Sequence, residues 1–290
     1  MQYHAKPKDF LSHKTFHLYD SKSIPFKNQT ISHFALTDSL MQFAGKRQQH
    51  LLHFWPTKNL VILGMMDTKL PYLEDGLAVL KQAKKDFIVR NSGGLAVVSD
   101  EGVLNFSIIL PEKPDERLSI NEGYEVMLQL IRSTFASFGK NIEAYEIEES
   151  YCPGEFDLSI DGKKFAGIAQ RRLKNGVAVM IYISVNGNQK KRAELLHDFY
   201  QQGLKGESVK WHFPDVHAKV MDTLENLLGT SLTVVHVKKM ILQTFLDYHN
   251  TVVDGIYSEE IIDSYEAAYQ KMIRRNEQML GDQLDRRLLE

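Results

Sequence analysis

The spacing of apolar side chains divides the first half of the chain into predicted helices and strands. Apolar residues recur at helical spacing over three segments, which are residues 31–50, 72–85 and 120–138. Short apolar runs predict strands at residues 51–55, 60–63, 87–90, 95–99, 104–110 and 144–147. Because turn residues separate the strands between residues 87 and 110, we expect that block to form a meander. The polar residues 1–30 are expected to form an N-terminal arm laid on the domain.

The second half contains the strongest hairpin signals. Asp161-Gly162 and Asn175-Gly176 are dipeptides typical of tight hairpin turns. They predict a three-stranded antiparallel meander over residues 156–160, 164–172 and 177–185. Later segments predict helices over residues 189–202, 216–228 and 234–249, with Thr233 as an N-cap, and one charged helix from Ser258. Helices interleaved with antiparallel strands indicate a mixed α/β class of α+β character.

Composition excludes several classes of protein. The 290 residues carry 35 Lys and Arg against 37 Asp and Glu, a formal net charge of -2. This balance gives no reason to expect nucleic acid or an anionic membrane as a partner. The single cysteine excludes an internal disulfide, and no Cys/His cluster has zinc-site spacing, so we expect no metal. The chain lacks a signal-peptide pattern and a long apolar run, which favours a cytoplasmic protein.

Cys152 is the candidate nucleophile. It stands before Pro153-Gly154, which predicts a loop, and the thiolate is the reactive form of a cysteine. A reactive Cys152 needs a cation from elsewhere in the chain, for which Lys164 is the best candidate. From the residues alone, a small buried thiol is an equally good interpretation. Four carboxylates flank Cys152 and would disfavour the thiolate if they lay close to it: Glu148, Glu149, Glu155 and Asp157.

Two further patterns can be interpreted chemically. Gly93 and Gly94, between two predicted strands, would let a ligand approach the backbone closely, although a plain hairpin turn is the more common explanation of such a pair. Lys164 lies in a predicted strand, where side chains alternate between faces. If that strand is regular, Lys164 shares one face with Ala166, Ile168 and Gln170. An ordinary solvated basic strand is the alternative.

Taken together, these motifs resemble those of the biotin/lipoate ligase superfamily. Residues 90–107 resemble the glycine-rich motif of lipoate–protein ligases and their acyltransferase relatives, and residues 161–169 resemble the lysine motif. Residues 151–172 resemble the cysteine-dependent amidotransferase branch. The resemblance implies a catalytic domain over residues 31–250, with a largely antiparallel sheet backed by helices. Residues 251–290 would then form a C-terminal helical extension.

The resemblance also implies an activity. In that branch a cysteine carries the acyl group as a thioester, and a lysine contacts the acyl carbonyl and favours the thiolate; these are the roles implied for Cys152 and Lys164. The implied reaction moves an octanoyl group from the glycine cleavage H protein to the E2 lipoyl domains of 2-oxoacid dehydrogenase complexes, without a cofactor. The implied substrate-binding residues are Arg90, Gly93, Gly94, Ala166, Gly167, Ile168 and Ala169.

Three other functions stay open. The first is a sister octanoyltransferase that uses acyl carrier protein as donor, whose usual motif Arg-Arg-x-Thr-Gly-Gly-Arg-Ala-Val differs from residues 90–97 here. The second is an ATP-dependent lipoate ligase, which usually carries His-Asp where this chain has Ser99-Asp100. The third is a non-enzymatic relative that binds acylated lipoyl domains.

Overall fold

The computed structural model describes residues 10–20, 30–113 and 117–288. The helices are α1 (Ser32–Arg47), α2 (Leu73–Gln82), α3 (Ile120–Thr134), α4 (Gln189–Leu204), α5 (Leu224–Leu228), α6 (Val234–Asp247) and α7 (Glu259–Leu280). The strands are β1 (Thr15–Asp20), β2 (His50–Phe54), β3 (Asn59–Leu63), β4 (Asp86–Val89), β5 (Val97–Asp100), β6 (Val103–Pro111), β7 (Glu143–Ala144), β8 (Asp157–Ile160), β9 (Lys163–Leu173), β10 (Gly176–Ser184) and β11 (Thr251–Asp254).

Eight strands form the main sheet, in the order β11-β1-β2-β6-β10-β9-β8-β7. The pairs from β2 to β7 are all antiparallel, whereas β1 lies parallel to both β2 and β11. The predicted meander after Cys152 is confirmed as β8, β9 and β10, joined by tight turns. The mixed, largely antiparallel fold class is therefore confirmed.

The N-terminal arm differs from the expectation in its described part. Residues 1–9 and 21–29 lie outside the described residues. Residues 15–20 are not laid on the domain, because they form β1, which is hydrogen-bonded inside the main sheet. Its neighbour β11 comes from the far end of the chain, so local spacing could not reveal this pairing.

The second sheet has three strands, in the order β4-β3-β5. β3 is parallel to β4 and antiparallel to β5. The expected meander over residues 87–110 is therefore wrong: β4 and β5 are separated by β3, and β6 belongs to the main sheet. The segment with Gly93 and Gly94 is a crossover loop and not a hairpin turn.

Two hydrophobic clusters lie on opposite faces of the main sheet. The front cluster joins α1, α2, α4, α7 and the small sheet, and the back cluster joins α3 and α6. Side chains of β10 alternate between them, with Met180 and Tyr182 in front and Val179 and Ile181 behind, as the twofold period of a strand requires. All nine residues of β10 are buried, so this strand lies at the centre of the fold.

The helices agree with the sequence pattern except over residues 216–228 and in the tail, where α7 ends at Leu280 and two 3₁₀ turns follow. Thr233 is confirmed as the N-cap of α6, since its side chain accepts a hydrogen bond from His236 N. A continuous helix over residues 216–228 is wrong, because Met221 forms a bridge with Lys164 and only residues 224–228 are α-helical. No helix in the described part of the chain is long and apolar enough to cross a membrane.

Candidate active site

A β-bulge in β9 turns Lys164 toward the front face of the sheet. The register between β8 and β9 shifts and leaves Phe165 as an extra residue. Such a bulge interrupts the alternation of side chains. Phe165 and Ala166 both pack in the back cluster, while a Cβ on Gly167 would lie 3.7 Å from Cε of Lys164. The expected face shared by Lys164 and Ala166 is therefore wrong.

Lys164 holds the loop that carries Cys152. Its ammonium forms an ion pair with Asp157, with Nζ 2.8 Å from Oδ1, and both side chains are almost fully buried. It also donates to Ser150 Oγ at 3.0 Å and to the carbonyl oxygens of Tyr151 and Cys152 at 2.9 Å each. An ammonium has three N–H groups, so these four acceptors occupy all of its donors. In this geometry Lys164 fixes the backbone beside the thiol.

Two N–H donors converge on the Cys152 sulfur. Leu95 N donates to Sγ at 3.2 Å, and Arg90 Nη2 donates to it at 3.4 Å. The same Nη2 donates to the carbonyl oxygen of Leu95 at 2.7 Å, which fixes the guanidinium against the loop. Hydrogen bonds and a nearby cation both favour a negatively charged sulfur. The cation at the thiol is therefore Arg90, whose position in the sequence gave no sign of this contact.

The crossover loop approaches the thiol because Gly94 has no side chain. Gly94 has a φ of 101°, a conformation that L side chains rarely adopt. A Cβ there would lie 2.2 Å from Arg90 Nη2 and 2.9 Å from Cys152 Sγ. A Cβ on Gly93 would meet nothing within 4 Å, since this residue faces open space. The two glycines thus differ: Gly94 permits the close contact, and Gly93 leaves the cavity open.

The acidic residues around Cys152 do not oppose a thiolate in the way their sequence positions suggested. Glu148, Glu149 and Glu155 are exposed, and Glu149 pairs with Lys219 at 3.1 Å. Burial raises the pKa of Asp157, while the Lys164 cation acts in the opposite direction. The one buried carboxylate of the group is thus paired, and solvent screens the other three.

The buried carboxylate of Asp67 is linked by hydrogen bonds to the crossover loop. Asp67 is fully buried, accepts from Gly64 N at 2.7 Å and accepts from the Tyr200 hydroxyl at 2.8 Å. That hydroxyl accepts in turn from Ala96 N at 3.2 Å, one residue beyond the Leu95 N–H that reaches the sulfur. Burial raises the pKa of Asp67 to about 6. Asp67 and Tyr200 therefore connect β3 to the loop that holds the thiol.

Cys152 opens into a cavity of about 290 Å³. The cavity follows one row of the main sheet, in which Gly167 on β9 lies opposite Tyr182 on β10, and Tyr182 lies opposite Asn105 on β6. Trp55 continues the row, because its backbone N–H donates to the backbone carbonyl oxygen of Asn105 at 3.1 Å. The lining is mainly apolar and includes Phe34, Trp55, Ile62, Val97, Ile168, Met180 and Ile181. Among the described residues, no group of three or more His, Cys, Asp and Glu could hold a metal ion.

Most residues predicted for the site meet in this cavity. Those in its lining are Arg90, Gly93, Gly94, Cys152, Lys164, Gly167, Ile168 and Ala169. Ala166 is the exception among the predicted substrate-binding residues, because the bulge turns it into the back cluster.

A family model described as the lipoyl protein ligase A/B catalytic domain matches residues 30–246, which include the cavity, the crossover loop and the Cys152 loop. The chain belongs to this family. The matched segment ends at residue 246, so β11 and α7 both lie beyond it. The predicted C-terminal extension over residues 251–290 is not purely helical, because residues 251–254 form β11 in the main sheet.

Relatives within the family have informative names. The octanoyl-[GcvH]:protein N-octanoyltransferase of Oceanobacillus iheyensis is 40% identical over 93% of this chain and 98% of its own length. The lipoyl-[GcvH]:protein N-lipoyltransferase of Listeria monocytogenes is 40% identical over 93% of this chain and 97% of its own. A crystal structure of lipoate-protein ligase A bound with ATP is similar in fold, with a TM-score of 0.69 and 15% identity over 92% of this chain and 98% of that one.

Three residues that support or line the site in this chain were not predicted from the sequence. Asp67 lies four residues after the end of the buried strand β3, and a carboxylate in the loop after such a strand was the available signal. Tyr200 lies within α4 with no distinguishing pattern. Tyr124 lines the cavity and stacks on Phe156 with centroids 4.6 Å apart. Burial, followed by the charge of Glu155, raises the pKa of Tyr124.

Proposed function

We propose that this chain transfers an octanoyl group from a lysine of the glycine cleavage H protein to a lysine of E2 lipoyl domains, through a thioester on Cys152. The observation that carries the proposal is the Cys152 sulfur, held by two N–H donors at an apolar cavity. The names of the relatives support the acyltransferase class and the donor protein. The acceptor domains and a cytoplasmic location stay predictions from the sequence.

In the first half of the reaction, the Cys152 sulfur attacks the amide carbonyl of the octanoylated lysine. A C–S bond forms and the C–N bond breaks, and the proton of the thiol ends on the departing amine. Arg90 lies at the sulfur and favours its charged form before the attack. Preorganised donors of this kind contribute by stabilising charge without reorganisation during the reaction.

In the second half, the neutral amine of the acceptor lysine attacks the thioester carbonyl. A C–N bond forms, the C–S bond breaks, and the proton of the amine returns to the Cys152 sulfur. One lysine amide replaces another, so the exchange is near thermoneutral and needs no ATP. The thioester is higher in free energy than either amide, so the intermediate is scarcely populated unless the cavity stabilises it.

The cavity has the length and polarity that an octanoyl chain requires. Seven C–C bonds of ~1.5 Å span at most about 11 Å, whereas the three strand spacings from Gly167 to Trp55 cover about 14 Å. Burying the chain contributes up to ~6 kcal/mol at ~0.8 kcal/mol per CH₂. The cavity volume of about 290 Å³ lies near the ~300 Å³ lower end of small-molecule pockets. A cavity of this size suits a slender acyl chain.

Lys164 acts in this proposal as a positioning residue. Its ammonium is occupied by the Cys152 loop and by Asp157, so it sets the place of the sulfur through the backbone. In this proposal two cations share the roles that the resemblance implied for Lys164 alone. Arg90 contacts the sulfur, and Lys164 fixes the loop.

The experiment is intact-mass analysis after mixing the protein with octanoylated H protein. We expect an octanoyl adduct on the wild-type chain, none on Cys152→Ser, and transfer to an added lipoyl domain by the wild type alone. The thermal midpoint of Cys152→Ser should match the wild type within about 2 °C, which shows that the fold is intact. Octanoyl transfer by Cys152→Ser would contradict the thioester route.

Parallel reactions separate the alternatives. An adduct formed only from octanoyl-acyl carrier protein would assign the sister reaction, and adenylate formation with lipoate and ATP would assign a ligase. A lipoylated H protein that acylates Cys152 better than the octanoylated one would assign lipoyl transfer, the activity in the name of the Listeria monocytogenes relative.

A further inference from the structure

Asn276, on the C-terminal helix α7, binds the backbone next to Arg90. Its side chain is fully buried. Oδ1 accepts from Val89 N at 2.7 Å, and Nδ2 donates to Val89 O at 3.1 Å. Nδ2 also donates to Met272 O at 3.0 Å within α7. A single amide thus satisfies both backbone groups of the residue that precedes the cation at the thiol.

The position of Val89 explains why this contact exists. β4 is an edge strand, with β3 on one side only. Arg90 N donates to Leu63 O of β3 at 2.9 Å, while the N–H and C=O of Val89 point away from β3 to the open edge. Buried backbone groups left without partners cost about 1–3 kcal/mol each. Asn276 supplies those partners, as a neighbouring strand would.

We propose that Asn276 is a positioning residue for the Cys152 thiol, acting through Val89 and Arg90. β4 ends at Val89, and the guanidinium of the next residue reaches Cys152 Sγ at 3.4 Å. Without Asn276 the outer edge of the strand end loses its two hydrogen bonds to Val89, and the backbone is held by Arg90 N to Leu63 O and by Arg171 Nη1 to Asn91 O at 2.6 Å. A shift of the strand end toward the space left by Asn276 displaces Arg90. Such a displacement lengthens the hydrogen bond from Arg90 to the sulfur, whose 3.4 Å is an ordinary length for a sulfur acceptor.

The proposal gives α7 a role beyond packing. The helix lies outside the family match over residues 30–246. Its N-terminal half binds α1 separately, through Tyr265 OH to Ser32 Oγ at 3.0 Å and Ser39 Oγ to Ile261 O at 2.7 Å. These contacts hold the helix without touching β4. Tyr265→Phe therefore provides a matched control on the same helix.

The test measures the rate at which iodoacetamide alkylates Cys152 between pH 5 and 9, in the full chain. We expect Asn276→Leu to slow the reaction roughly tenfold at neutral pH and to move the pH profile upward, because a displaced Arg90 favours the reactive thiolate less. Tyr265→Phe should stay within about twofold of the wild type. Urea unfolding of both variants measures how much stability each loses.

Asn276→Asp keeps the proposal testable if Asn276→Leu does not fold. The aspartate retains an acceptor for Val89 N and loses the donor to Val89 O, so we expect a shift in the same direction. A wild-type profile in a folded Asn276 variant would overturn the proposal. Equal shifts in Asn276→Leu and Tyr265→Phe would overturn it as well, since they would indicate general destabilisation.

The inference deepens the proposed function, because it concerns the reactivity of the proposed nucleophile. Alkylation requires no acyl substrate, so its outcome is independent of which protein donates the octanoyl group. Transfer by Cys152→Ser would overturn the thioester route and leave the alkylation result unchanged. An alkylation profile of the Asn276 variants that equals the wild-type profile would overturn the role of Asn276. It would say nothing against the transfer reaction.

Discussion

Replacing Lys164 by methionine tests how firmly the buried ion pair holds the Cys152 loop. The substitution keeps most of the side-chain volume, removes the ammonium and leaves the Asp157 carboxylate buried without its cation. The two side chains are 2% and 3% exposed, so solvent screening is small. Removing one partner of such a pair costs ~3–5 kcal/mol, and we expect a loss of about 4 kcal/mol in the free energy of unfolding at pH 7.5.

The pH dependence of that loss separates charge from packing. Burial raises the pKa of Asp157 and Lys164 opposes the rise, so the pKa should rise further in Lys164→Met. A carboxyl whose pKa is higher in the folded chain than in the unfolded chain contributes stability at low pH, which is lost as the pH rises. The cost of Lys164→Met should therefore shrink as the pH falls from 7.5 to 5, because Asp157 becomes neutral.

The measurement is urea unfolding of Lys164→Met, Asp157→Leu and the double variant. We expect the double variant to be more stable than the sum of the single losses predicts, by at least ~1 kcal/mol for groups in contact. Lys163→Met is the matched control, since Lys163 is 47% exposed and pairs with Asp222 at 3.5 Å; it should cost less than ~1 kcal/mol. A loss below about 1 kcal/mol for Lys164→Met, or a loss that does not change with pH, would refute the reasoning.

Other substitutions test the crossover loop and the buried titratable groups. Gly94→Ala should slow alkylation of Cys152 by iodoacetamide at least tenfold, because its Cβ would lie 2.2 Å from Arg90 Nη2, whereas Gly93→Ala should leave the rate within about twofold; equal rates in the two variants would contradict this geometry. Burial raises the pKa of Asp67 to about 6. Its contribution to stability is present at low pH and falls by ~2 kcal/mol between pH 4 and 6, and urea unfolding of Asp67→Asn should lack that fall. Burial lowers the pKa of His33 to about 4, so protonation favours the unfolded chain below pH 6.5. His33→Phe should accordingly lose less stability than the wild type between pH 7 and 4.

Much of the chemistry of the site could be predicted from local sequence. Cys152, Lys164 and the glycine pair all line the cavity, and the hairpins around the lysine strand form where Asp-Gly and Asn-Gly predict them. Such signals depend on residues that are close in the chain. The contacts of those residues were less predictable: Lys164 binds the backbone of Cys152, and Arg90 reaches the sulfur.

Two features of the site show where local reasoning ended. The bulge at Phe165 moved Ala166 to the back cluster, because the pairing of β8 with β9 set the register and the spacing of β9 alone did not. The crossover loop joins β4 to β5 on either side of β3, so Gly94 serves close approach and not a hairpin turn. In the first case the pairing with β8 decided the outcome, and in the second the position of β3 between two later strands did.

The sequence by itself determined the helices and most strands, the mixed α/β class, the nucleophile candidate and the family. Only the tertiary structure decided the order of the strands, the cation at the Cys152 sulfur and the partners of Asp67 and Asn276. The physical reason is the sequence distance over which each interaction acts. Helix spacing, turn dipeptides and caps act between neighbours in the chain, whereas a thiol held by a residue 62 positions away depends on how the sheets and helices pack.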